Sequence, residues 1–147
     1  MGYPDHDTFH ASYGALASLH DELWERIGVP PERTVFGGFS MGSVMSYAVA
    51  LGADRPAIAG ALAFSGFIPI VDGWQPDFSG PRATRVFIAH GRRDPVMEVG
   101  FARRARQLLI ENGLEVSYQE SDAGHHIDPA HIPAAVAWLD RAVRPPT

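Results

Sequence analysis

Cysteine is absent from all 147 residues, which excludes disulfides, thiol nucleophiles and thiolate-held metals. No apolar run reaches the ~20 residues needed to cross a bilayer, so stable membrane insertion is not expected. The first residues, MGYPDHDTFH, lack the basic and apolar regions of a secretory signal, and a cytoplasmic location is the expectation. Positive charge is in deficit: 12 Lys and Arg stand against 17 Asp and Glu, a formal net charge of -5. That balance argues against nucleic acid or an anionic membrane as partner. H-E-x-x-H and comparable ligand spacings are also missing. His6, His10, His20, His90, His126 and His131 therefore read as scattered histidines, His90 through tight packing at a strand end, and no metal is expected. Arg92, Arg93, Arg103, Arg104 and Arg106 read as a solvated helix face. Internal repeats and low-complexity tracts are lacking too, which leaves one domain over residues 1–147.

Hydrophobic residues make up 46% of the chain and charged residues 20%, the balance of a soluble globular protein. Two periodicities alternate. Phe9, Tyr13, Leu16, Leu19, Leu23 and Ile27 recur at three and four, which predicts a helix with one buried face. Asp7 or Thr8 would cap it, and Gly28 with Pro30-Pro31 would stop it. RTVFGGF reads as a strand, followed by a small-residue helix from Met41 to Leu51. AIAGALAFSGF (58–68) is the next strand, and its alanines suggest burial on both faces. Residues 69–84, rich in Pro, Gly and Asp, read as a long loop beside a site. RVFIAH is a third strand, and EVGFARRARQLLIENG an amphipathic helix. LEVSYQE is a fourth strand, and the last helix carries Ile132, Val136, Leu139 and Val143 as its apolar stripe. Strand–helix alternation argues for about four parallel strands with helices on both faces.

In such sheets chemistry gathers at the strand ends. Gly38-Phe39-Ser40-Met41-Gly42 fits G-x-S-x-G, in which a sharp strand-to-helix turn holds a serine above the sheet and the glycines leave room for it. The helix N-terminus favours negative charge developing there. Asp94 follows the third strand, where capping of the next helix is the plainer explanation. His125 follows the fourth strand. Ser, Asp and His in that order, each after a strand, is the chain order of α/β-hydrolase triads. In that arrangement His125 takes the Ser40 proton, and Asp94 orients the imidazole.

The segments GGFSMGSVMSYAVAL, AFSGFIP, VFIAHGRRDPV and DAGHHIDP, in order over most of residues 34–128, resemble the phospholipase/carboxylesterase family of α/β-hydrolases. That family holds carboxylesterases, lysophospholipases and acyl-protein thioesterases. The resemblance implies Ser40 as nucleophile, Asp94 as acid and His125 as base, with the Met41 N–H as one oxyanion donor. His126 stands where the family usually has an acidic residue, and Gly124 with the family register favours His125. Phe39, Phe67, Ile68, Trp74 and Phe78 are either an acyl-lining surface or packing residues of an irregular segment. The expectation is a shortened α/β-hydrolase without a cap domain, hydrolysing small carboxylic esters with broad specificity and no cofactor. A thioesterase or lysophospholipase, or a silent scaffold, stays open.

Family members begin with further strands, one ending in a His-Gly segment that completes the oxyanion hole. Nothing before Ser40 corresponds to it. The TVFGGF strand then has an uncovered edge, which invites pairing. Either a homodimer or larger homo-oligomer covers it, or the polypeptide extends upstream of Met1.

Overall fold

Asp5 starts the first helix, its carboxylate accepting a hydrogen bond from the Thr8 backbone N–H, two residues ahead of the earliest expected cap. Helix α1 (His6–Ile27) runs to Gly28, whose φ of 69° turns the chain out of the helix. The computed structural model describes residues 2–78 and 84–144, so positions 79–83 of the expected 69–84 loop lie outside the described residues. After α1 come β1 (Val35–Phe39), α2 (Met41–Leu51), β2 (Gly60–Phe64), β3 (Arg85–Gly91), α3 (Val99–Glu111), β4 (Val116–Ser121) and α4 (Ile132–Ala142).

The four strands form one parallel sheet in the order β1-β2-β3-β4. Strands laid down in sequence order with right-handed crossovers bring their connecting helices to one face. Ala61, Ala63, Val86 and Ile88 point to that face and pack with Ala48, Val49, Ala102, Ala105 and Leu109 of α2 and α3. On the other face α4 lays Ala135, Trp138 and Ala142 over Phe87 and Ala89. The expected β2 is shorter than 58–68, because Ser65 enters a left-handed conformation at φ 57° and ends it.

Two expected stripes are corrected. On α4 the buried positions are Ala135, Trp138 and Ala142, while Ile132, Val136 and Leu139 are exposed. Both sets have helical spacing. The choice falls to Trp138, which seats against Gly60 so closely that a Cβ there would lie 2.7 Å from its ring. On α1, Phe9 and Tyr13 are buried, but Leu19, Leu23 and Ile27 are 48%, 41% and 62% exposed. The helix instead turns His20 and Trp24 toward the sheet, with the His20 ring stacked 3.9 Å from Phe36. A groove of about 640 Å³ lies between α1, β1 and α2, lined by Leu16, His20, Phe36, Met41 and Met45 among others. Among the described residues, β1 pairs with β2 alone, as expected of its open edge.

Candidate active site

The turn from β1 into α2 is built around Ser40. Its φ of 58° and ψ of -121° are strained for a residue with a side chain. Three backbone bonds hold that conformation: Ser40 N–H donates to the Phe64 carbonyl of β2, and Ser43 and Val44 N–H donate to the Ser40 carbonyl. Gly38 is needed because a Cβ would meet the Gly42 carbonyl carbon at 2.3 Å. Gly42 is different. Nothing lies within 4 Å of a Cβ built there, so the expectation that both motif glycines answer to crowding holds for Gly38 and not for Gly42.

The ends of β3 and β4 bring their loops together. Arg92 and Arg93 N–H donate to the Ser121 and Ala123 carbonyls, lacing the segment after β3 to the segment after β4. Gly91 permits the crossing, since a Cβ would lie 2.2 Å from the Ala123 oxygen. Asp94 does not cap α3. Its Oδ1 accepts from the Val96 and Met97 backbone N–H groups, both at 2.8 Å. Sequence reasoning missed these donors. The signal was Pro95, which has no N–H and leaves the next two residues as the first available donors.

Asp94 Oδ2 lies 2.7 Å from His125 Nδ1, and His125 Nε2 lies 3.0 Å from Ser40 Oγ. A carboxylate only accepts, so Nδ1 carries the hydrogen and Nε2 offers its lone pair to the serine O–H. Burial opposes charge on Asp94, but the hydrogen bonds from His125, Met97 and Val96 outweigh it and hold the carboxyl below its ordinary range. The Phe39 ring packs 4.8 Å from the His125 ring and remains 37% exposed. His126 is exposed beside it.

Met41 is the first residue of α2, where backbone N–H groups have no partner within the helix. Its side chain is 48% exposed at the mouth of the groove. Of the other expected lining residues, Ile68 is fully buried in the core. Phe67 packs with Val44 and Met97 beneath the turn. Trp74 donates its indole N–H to the Ala48 carbonyl near the far end of α2, roughly 12 Å along the helix from Ser40 at 1.5 Å per residue. These three are packing residues, and Phe78 also packs against the core. Among the described residues no group of three or more His, Cys, Asp or Glu is placed to hold a metal. Among the described residues no helix is long and apolar enough to cross a membrane.

A parallel sheet that presents serine, aspartate and histidine after β1, β3 and β4 defines an α/β-hydrolase fold. Solved structures agree. Esterase PE8 aligns with a TM-score of 0.73 at 25% identity, over 91% of this chain and 61% of that one. A carboxylesterase from Mesorhizobium loti aligns with a TM-score of 0.77 at 21% identity, over 94% and 64%. The chain belongs to the phospholipase/carboxylesterase family, whose model matches residues 4–142. Acyl-protein thioesterase 1 of Debaryomyces hansenii is 30% identical over 112 residues, 76% of this chain and 48% of the relative. That of Neurospora crassa is 33% identical over 109 residues, 69% of this chain and 43% of the relative. The chain thus spans about half the length of these curated relatives.

Proposed function

We propose that the protein hydrolyses carboxylic esters through an acyl-enzyme on Ser40. The observation that carries this reading is the continuous chain Ser40 Oγ–His125 Nε2, 3.0 Å, and His125 Nδ1–Asp94 Oδ2, 2.7 Å. Ser40 Oγ attacks the ester carbonyl while His125 Nε2 takes its proton. Asp94, charged at neutral pH, stabilises the imidazolium that forms. The Met41 N–H at the start of α2 donates to the developing oxyanion, where the helix N-terminus also favours negative charge. Collapse expels the alcohol with the proton from His125. Water then attacks the acyl-enzyme, with His125 as base, and releases the acid. The half-exposed Phe39 and Met41 beside Ser40 leave the site open, which supports small and varied acyl groups.

Cleavage of p-nitrophenyl acetate tests the reading. The parent should turn over, and Ser40→Ala should lose at least about 10⁴-fold. A Ser40→Ala protein as active as its parent overturns it. Thioester cleavage is the second reading, favoured by the acyl-protein thioesterases among the relatives. The same acyl-enzyme serves both, and a matched ester and thioester pair separates them by kcat/KM.

A further inference from the structure

Behind the Asp94–His125 pair a second imidazole is buried near the end of β3. His90, one residue from the end of β3, has no side-chain exposure. Its Nε2 stands 2.7 Å from the Met97 carbonyl oxygen and 3.6 Å from Asp94 Oδ2. A carbonyl oxygen only accepts, so Nε2 carries the hydrogen. Nδ1 is buried and has no hydrogen-bond partner. An orphaned lone pair there is less costly than an orphaned N–H, which fits a neutral ring. Met97 is also the residue whose N–H holds Asp94 Oδ1. A single residue is therefore gripped through its carbonyl by the sheet and grips the carboxylate through its amide.

We infer that His90 is a positioning residue for the acid–base pair, its Nε2–H fixing the 94–97 turn so that Asp94 Oδ2 meets His125 Nδ1. The inference rests on the Ser40–His125–Asp94 reading. Attack by the serine needs His125 as the Nδ1–H tautomer, with its Nε2 lone pair facing the hydroxyl. Asp94 selects that tautomer only while its Oδ2 stays in place. The bonds from Val96 and Met97 fix the carboxylate relative to its own turn, and those bonds would move with the turn. His90 is the side-chain link that ties the turn back to β3. A misplacement of about 1 Å in such a site costs on the order of 10²-fold in rate. A histidine that merely fills space would act differently, because an apolar ring of similar size would serve as well.

His90→Phe keeps the ring volume and removes the donor, whereas His90→Gln keeps a donor of similar reach. The full chain, labelled with ¹⁵N, is compared as parent and both variants by imidazole ¹H–¹⁵N correlation spectra, thermal unfolding and the rate of fluorophosphonate labelling. The parent and His90→Gln should show His125 as a single Nδ1–H tautomer. His90→Phe should show mixed tautomers and label about 10–100-fold more slowly while still folded. Should His90→Phe not fold, His90→Asn, whose amide falls short of Met97, gives the same contrast. Unchanged His125 tautomer and labelling rate in a folded, donor-less variant overturn the inference, as does an equal loss in His90→Gln. A parent that resists the probe counts against the hydrolase reading alone, since the tautomer comparison still decides the role of His90.

Discussion

The two sides of the β1–α2 turn are built differently. On the β2–β4 side, loops are laced by backbone hydrogen bonds, Asp94 and His90 are buried, and a Cβ on Gly38 or Gly91 has no room. On the other side β1 has no second neighbour among the described residues, Gly42 faces open space, and three large apolar residues of α1 stand in solvent. The proposed triad joins Ser40 of this turn to Asp94 and His125 on the laced side. The family resemblance would put a second oxyanion donor on a preceding strand, on the open side. On the proposed reading, the acid–base pair and the second oxyanion donor fall on different sides of the turn.

The largest expected effect lies on the laced side. Asp94→Asn should leave the fold intact and lower kcat by about 10⁴, because the amide selects the wrong His125 tautomer. A loss below tenfold would break the assignment. Next comes the glycine pair. Gly38→Ala should destabilise by about 1–3 kcal/mol or more, since backbone must move, whereas Gly42→Ala should be neutral or stabilising in denaturant titration. A destabilising Gly42→Ala would mean that the open side is covered in solution. Coverage has its own readout. An exposed edge and apolar α1 face favour self-association, so sedimentation should show a dimer or larger species that Leu23→Glu shifts toward monomer. A parent that stays monomeric at micromolar concentration removes that expectation.

The smallest effect concerns Glu120 on β4. Arg103 beside it holds its carboxyl down at about 2 from an ordinary 4.5. A depressed folded-state pKa stabilises the native protein above the ordinary value, and that contribution is lost as pH falls from about 4.5 toward 2. Glu120→Gln should therefore lower Tm slightly at pH 7, by no more than about 1 kcal/mol in stability for so accessible a network. The difference should vanish on acidification. A gap that persists at the acid end would show that packing, not charge, is what Glu120 supplies.

The order Ser40, Asp94, His125 was legible because each residue follows a segment whose pattern marks a strand. Spacing alone could not choose between Ala135-Trp138-Ala142 and Ile132-Val136-Leu139, since both repeat helically and only the fit of Trp138 on Gly60 decides. Nor could it show that Leu19, Leu23 and Ile27 lie uncovered, because a stripe announces a face to be buried without naming what buries it. Phe67, Ile68 and Trp74 sit in or beside a loop rich in turn residues, and their burial follows from long-range packing on α2 that local pattern does not encode. Gly42 matched a motif whose steric reason holds only where a neighbour is present.

Fluorophosphonate treatment of the folded chain, followed by peptide mass spectrometry, asks most directly whether Ser40 is an activated nucleophile. One adduct is expected, on the peptide carrying Ser40, and it should be absent from Ser40→Ala and His125→Ala. A folded parent that takes up no adduct at Ser40, or takes it up equally without His125, would contradict a working triad.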